Sequence, residues 1–302
     1  MEFYMICFLL FSTCLLVVVS KPAKPILIEG DIVLDPKLRK IRANAIIHEE
    51  GEWSSHKRVK RGNTLTNKKP HEHRWRNGFI PYKLSYELSD IARESIKEAF
   101  YEVEKYTCIQ FSPWKGEDDY VEFVKGVGCY SSVGRQNGRQ VVSIGEGCET
   151  TKTVVHELLH TVGMFHEMSR YDRGLYVKIL WWNIQRGAEK NFAVYDHGVI
   201  DSMNFPYDFE SAMHYYNNEF TKNGQDTIQS LENPKLRIGN YHGMSKMDVK
   251  KVYQFYKCYK KKERPQKNEC KDKYNWCKKY ENHCSTQWFA ESYCQKTCKV
   301  CL

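Results

Sequence analysis

The chain has 302 residues, 41% of them hydrophobic, which excludes a disordered polymer and leaves room for one or two medium domains. Its formal net charge of +9 sits at the ends, because residues 260–302 hold eleven Lys or Arg against five Asp or Glu while residues 62–259 balance. That distribution sets nucleic acid aside as a partner, since a nucleic-acid binder carries its basic face on the folded domain.

The first predicted element is a signal peptide over residues 1–20. An apolar run from Ile6 to Val19 ends at Ser20 and Lys21 and is short for a bilayer span. Glu2 stands where such segments usually carry Lys or Arg, which keeps a signal anchor as the rival reading. No later stretch is apolar and long enough to cross a membrane, so the expectation is a secreted, extracellular chain with no stable membrane insertion after signal removal. The twelve cysteines agree. Cys7 and Cys14 fall in the signal, Cys108, Cys129, Cys148 and Cys258 in the middle, and Cys270, Cys277, Cys284, Cys294, Cys298 and Cys301 in the tail. The two later groups are even, as disulfides formed in an oxidising compartment require. No Asn-x-Ser/Thr sequon is present. Residues 21–61 are polar, lack cysteine and end in the dibasic Arg58-Val59-Lys60-Arg61, which reads as a pro-segment with a processing site.

Globular sequence begins near Trp75. Alternating apolar positions over Phe79 to Leu84 predict a strand, and a helix follows, with Ser89 and Asp90 as capping candidates and Ile91, Ile96, Phe100 and Val103 as its apolar positions. Short β-rich stretches come at Cys108 to Phe111, Tyr120 to Val124 and Val141 to Ile144. On the residues alone the class is α/β or α+β.

Val155-His156-Glu157-Leu158-Leu159-His160-Thr161-Val162-Gly163-Met164-Phe165-His166 carries the chemistry. Residues four apart share a helix face, so His156 and His160 present two imidazoles to one cation while Val155, Leu158 and Leu159 hold the helix in the core. Glu157 follows the first histidine, placed to take a proton from a water at the metal without ligating it. Gly163 permits a left-handed turn that ends the helix and returns His166 to the same ion. Three imidazoles leave a position open, and a catalytic Zn2+ lowers the pKa of water there to about 7. The bland reading, packed or surface histidines on an ordinary helix, does not account for the added Gly and third His at metzincin spacing.

The run continues as Glu167-Met168-Ser169-Arg170-Tyr171-Asp172-Arg173, and with Ser211-Ala212-Met213-His214-Tyr215 it resembles the astacin family of zinc endopeptidases over roughly residues 75–258. The resemblance implies an α+β, metzincin/astacin-like fold of two subdomains, with a twisted mixed sheet and an active-site helix from about Thr153 to Val162. It implies one Zn2+ per catalytic domain, on His156, His160 and His166, with Glu157 and Tyr215 catalytic. Met213 would lie beneath the site, and Tyr215 would ligate zinc at rest and stabilise the oxyanion during turnover. Cysteine order agrees with the resemblance, which implies Cys108–Cys258 and Cys129–Cys148. In the pro-segment, Ile28-Glu29-Gly30-Asp31 is similar to the family's inhibitory motif, which makes Asp31 the candidate zinc latch, and Glu167 resembles the residue that receives the new N-terminus after processing. A cut after Arg61 leaves thirteen residues before Trp75, longer than the family lead, and Gly174 replaces the Asp that usually closes the signature. Tyr241 stands where many members carry an arginine selecting acidic residues after the scissile bond, so little preference for Asp or Glu is expected there.

The domain reading is therefore signal 1–20, pro-segment 21–61, peptidase domain 62–259, a Lys-rich linker 260–269 and a tail domain 270–302. Six tail cysteines allow fifteen pairings. Their spacing resembles the ShK-toxin-like (ShKT) module, which implies Cys270–Cys301, Cys277–Cys294 and Cys284–Cys298, with Asp272 paired to Lys296. The segment between the third and fourth tail cysteines lacks lysine, against a toxin-like role. Trp288 and Phe289 either anchor a matrix contact or pack within the module. The expected function is a secreted zinc endopeptidase made as a zymogen and acting on protein or peptide substrates. The alternative is a catalytically silent extracellular binding protein on the same scaffold.

Overall fold

The computed structural model describes residues 3–10, 13–20, 24–36, 38–39, 64–65, 73–195, 200–201, 203–239, 242–258, 272–273, 277–284, 293–294 and 296–298. The architecture is α+β. Strands β1 (Phe79–Leu84), β2 (Gln110–Pro113), β3 (Tyr120–Val124), β4 (Cys129–Tyr130) and β5 (Arg139–Ile144) form one mixed sheet in the order β2-β1-β3-β5-β4. All neighbours are parallel except the edge pair β5 and β4. Period-2 burial places Val121 and Phe123 of β3 on the covered face, opposite Tyr82 of β1 and Val142 of β5.

Helix α1 (Asp90–Tyr106) covers that face. Ser89 opens it by accepting from the Ala92 amide at 3.0 Å. Its buried stripe is Ala92, Ile96, Ala99, Phe100 and Val103. Ile91, expected in the core, is 65% exposed because it lies about 100° round the helix from Ala92, and the two alanines complete the stripe in its place. Phe100 stacks on Phe111 at 4.1 Å between centroids and meets Phe123 edge-on at 5.6 Å.

Helix α2 (Thr151–Thr161) lies against α1 and starts two residues earlier than the sequence led us to expect, because the Thr150 side chain accepts from the Thr153 amide. Val154, Val155, Leu158 and Leu159 share one apolar core with the sheet. Gly163 then turns at φ +111°, and a Cβ there would come within 2.9 Å of the Phe255 ring, so close packing as well as backbone conformation calls for glycine. Below the cleft the chain is irregular, with 3-10 turns and, among the described residues, two short antiparallel pairs, Val177–Ile179 with Ile228–Ser230 and Ile200–Asp201 with Thr64–Leu65. Helix α3 (Lys246–Tyr256) closes the domain, opened by a Ser245/Asp248 capping box. Disulfides Cys108–Cys258 and Cys129–Cys148 tie the end of α3 and the edge strand to the body.

The N-terminal apolar run forms an antiparallel hairpin, Phe3–Leu10 with Thr13–Ser20. Among the described residues no helix is long and apolar enough to cross a membrane. Residues 24–36 and 38–39 lie across the domain. Ile32 bridges Ser131 in parallel, and Ile28, Ile32 and Leu38 are buried with Val133, Phe165, Tyr195 and Phe255. In the tail, Cys277–Cys294 and Cys284–Cys298 are bridged. Asp272 accepts from the Thr297 amide and hydroxyl at 2.8 and 2.6 Å, so its main partner is Thr297, with Lys296 nearby helping to hold the carboxyl low. Cys270, Cys301, Trp288 and Phe289 lie outside the described residues, as do Arg61 and Tyr241.

Candidate metal centre

Helix α2 projects His156 and His160 from successive turns, and the Gly163 turn brings His166 beside them. Their ring centroids lie 4.7 to 5.2 Å apart. Asp31 completes the group, and the four side chains each offer one ligand atom within 4.8 Å of the others. Asp31 Oδ2 lies 3.1 Å from His156 Nε2 and 3.3 Å from His166 Nε2, while Oδ1 lies 3.6 Å from His160 Nε2.

Each imidazole is tied outward through Nδ1. His156 meets the Ala212 carbonyl at 2.7 Å, His160 the Met164 carbonyl at 2.8 Å and His166 the Glu29 carboxylate at 2.7 Å. Carbonyls and carboxylates only accept, so the three Nδ1 atoms donate and the Nε2 lone pairs converge. His156 Nε2 and His166 Nε2 stand 3.2 Å apart, and buried His160 Nε2 has no hydrogen-bond partner among the described residues. Lone pairs so arranged fit a cation, and imidazole nitrogen with one carboxylate oxygen is a donor set that suits Zn2+.

The electrostatics agree. Burial disfavours charge on His166, yet Asp31 and Glu29 outweigh it and push the ring up to about 10, so without a cation its Nε2 holds a proton that a bound metal would displace. His160 goes the other way, lowered by burial to about 4. The site therefore concentrates negative charge around imidazoles, one of them neutral by environment, which is the setting a dication completes. Glu157 sits behind, buried, with Oε2 unpartnered among the described residues. Burial, followed by the Asp31 charge, raises its carboxyl well above the ordinary range.

Met213 is fully buried in the same core as α2. Its turn is fixed by Asp248 of α3, which accepts from Ser211 Oγ at 2.6 Å and from the Ala212 amide at 2.8 Å. Through the Ala212 carbonyl the same carboxylate orients His156. Tyr215 directs its hydroxyl to the Glu29 carbonyl and lies 4.8 Å from the His166 ring, centroid to centroid. Glu167, next to His166, is buried and fully engaged, accepting from Arg170 at 2.7 Å, from the Asp208 amide at 2.9 Å and from Lys251 at 2.6 Å. Sequence reasoning passed over Asp248, Lys251 and Glu29. A Ser-x-x-Asp capping box at Ser245 to Asp248 was the available signal for the first; a lysine on a helix gives none for the second.

The family model of Astacin, a peptidase family, matches residues 67–257. The chain is 44% identical over 186 residues to zinc metalloproteinase nas-13 of Caenorhabditis elegans, an alignment that takes in 61% of this chain and 41% of the relative. It is 34% identical over 301 residues to zinc metalloproteinase nas-6 of the same organism, taking in 90% of this chain and 83% of the relative. Human meprin A subunit beta is 39% identical over 234 residues, 77% of this chain and 30% of the relative. Among solved structures, the hatching enzyme zinc-protease high choriolytic enzyme 1 of medaka superposes with a TM-score of 0.61 at 35% identity, covering 65% of this chain and all of that one. The chain thus spans less than half the length of nas-13 and of meprin beta, and most of nas-6.

Proposed function

The chain belongs to the astacin family of peptidases, and on that premise we propose that it is a zinc metalloendopeptidase made as a secreted zymogen, acting on protein or peptide substrates. The observation that carries the reading is the set of three imidazoles tied outward at Nδ1 and converging at Nε2, beside a buried carboxylate with an unengaged oxygen. His156, His160 and His166 would hold the Zn2+, which when bound supplies Lewis-acid polarisation of water and of the scissile carbonyl.

The chain's own groups do the rest. Glu157 takes the proton of the attacking water as oxygen bonds to the carbonyl carbon, then delivers it to the amine nitrogen as the C–N bond breaks. The Tyr215 hydroxyl, released from the Glu29 carbonyl, turns to the developing oxyanion and donates to it. Met213 and the Asp248-anchored turn keep the His156 ring in register. In the uncut chain Asp31 sits among the three Nε2 atoms, where it competes with water. Cleavage after Arg61, which lies outside the described residues, would free residues 21–61 to leave and open the site.

Export fits the disulfides of the described residues. The domain reading keeps residues 1–20 as the signal, 62–259 as the catalytic unit, 260–269 as the linker and 270–302 as an ShKT module, with Cys270–Cys301 as its third bridge and extracellular matrix as its candidate partner. With Tyr241 in place of arginine, acidic residues just after the scissile bond gain little or no preference.

The test is hydrolysis of an unstructured protein by chain cut at Arg61, with and without a zinc chelator and beside Glu157→Ala. Activity should appear and both treatments should remove it, the variant losing about 10²–10⁴-fold in rate while it keeps its zinc. A processed, zinc-loaded protein that cuts nothing would replace this reading with the silent binding scaffold.

A further inference from the structure

The outward hydrogen bonds of the three imidazoles differ in where their acceptors come from. His156 and His160 use the carbonyls of Ala212 and Met164, both inside residues 62–259. His166 uses Glu29, which belongs to the segment ahead of the processing site. The same Glu29 Oε2 accepts from Ser169 Oγ at 2.7 Å, and the Glu29 carbonyl accepts from Tyr215. Glu29 is buried, with Ile28 and Ile32 anchoring its hairpin on either side. Gly30 beside it turns at φ +90°, where a Cβ would meet the Phe220 ring at 2.9 Å, so the hairpin is seated at one depth.

A carboxylate behind an imidazole is a stronger acceptor than a carbonyl, and it makes Nε2 a better electron-pair donor to a metal in front. We propose that Glu29 is a zinc-retention residue of the uncut chain. Its carboxylate supplies the outer acceptor for His166, so the pro-segment strengthens the metal site that it covers, and processing leaves the mature enzyme with a looser hold on zinc. Glu29 acts through His166 and is a positioning residue. The inference rests on the reading of residues 21–61 as a removable segment. It separates two tasks within one hairpin. Asp31 occupies the position that water needs, whereas Glu29 secures the ion while the protein folds and travels.

Uncut full-length wild type, Glu29→Gln and Asp31→Asn are equilibrated with chelators of graded strength, and bound zinc is measured together with activity on an unstructured protein. Glu29→Gln should weaken zinc retention about tenfold or more in the uncut chain. After cutting and removal of residues 21–61, wild type and Glu29→Gln are the same polypeptide and should coincide. An uncut Glu29→Gln chain that stays inhibited and holds zinc as wild type does overturns the proposal. If that variant instead becomes active without cutting, its segment has left the site and Asp31→Asn decides. That chain keeps Glu29 and should hold zinc about tenfold more tightly than the cut enzyme, and equality between the two overturns the proposal. Failure of the Asp31 reading shows separately, as an uncut Asp31→Asn chain that is inactive while its zinc retention follows Glu29.

Discussion

Above the cleft, α1 lies on the sheet through Ala92, Ile96, Ala99, Phe100 and Val103, an apolar stripe packed on apolar strands. Below it, Arg170 is wholly buried between Glu167 and Asp172, and Lys251 of α3 reaches Glu167 from 84 residues further along the chain. The upper half is built from periodic local segments that each state their partner face. The lower half has little regular structure and is held in place by buried charges from distant parts of the chain, which also fix His166 through its neighbour Glu167. Two kinds of construction meet at the metal centre, and they should fail differently.

The sharpest way to break that contrast is Lys251→Met. It leaves Glu167 short of one cation in a fully buried place, and removing one partner of such a pair costs about 3–5 kcal/mol. Urea unfolding should register that loss, with zinc retention falling alongside it because His166 precedes Glu167 directly. Ile96→Val in the upper half should cost about 0.5–1.5 kcal/mol and leave zinc retention unchanged. The pH dependence sharpens the same point. Burial pushes the Glu167 carboxyl up, but Lys251 and Arg170 outweigh it and hold it below its ordinary value. A depressed folded pKa contributes stability above the unfolded value of about 4.3, lost as pH falls through the folded one. The gap between wild type and Lys251→Met should therefore be full above about pH 5 and narrow below about pH 4. A gap independent of pH would mean that Lys251 acts by packing alone.

Gly163→Ala should come next. The left-handed turn disfavours a side chain, and the new methyl would press on Phe255. A cost of about 1–3 kcal/mol is expected by thermal unfolding, with weaker zinc retention as His166 is displaced. Thr150→Ala removes only the cap of α2 and should cost about 1 kcal/mol, with the metal site unchanged once folded.

The same division explains what the sequence made legible. His156, Glu157, His160, Gly163 and His166 fall within eleven consecutive positions, and each step between them is a local rule of helix geometry or of the turn that ends the helix. Alternation marked β1 and β-rich composition marked β3 and most of β5, whereas β2 runs over Gln110–Pro113 rather than Cys108–Phe111, and the two-residue edge strand β4 is too short to show a pattern. Ile91, one of the apolar positions read on α1, is exposed, and the small residues Ala92 and Ala99 complete the buried face instead. Lys251 occupies a core position of α3, between buried Asp248 and Val252, but a lysine in a helix reads as a solvated charge until its partner is seen. Glu29 lay in view inside the segment used to find Asp31, yet nothing local indicates that its side chain passes behind His166.

The smallest predicted effect concerns the new N-terminus. Family resemblance gives Glu167 the task of receiving it, while in the structure both Glu167 oxygens are engaged, one by Lys251 and the other by Arg170 and the Asp208 amide. A terminal ammonium would have to displace Lys251 from a site where its charge is already matched, so little would be gained. Mature proteins beginning at residue 62 and at residue 73 should accordingly differ by no more than about 0.5 kcal/mol in activation free energy, or about twofold in rate. Steady-state cleavage by the two forms decides the matter. A large gain for one defined first residue would show the ammonium replacing Lys251, and the lower half would then complete its charge network only after processing.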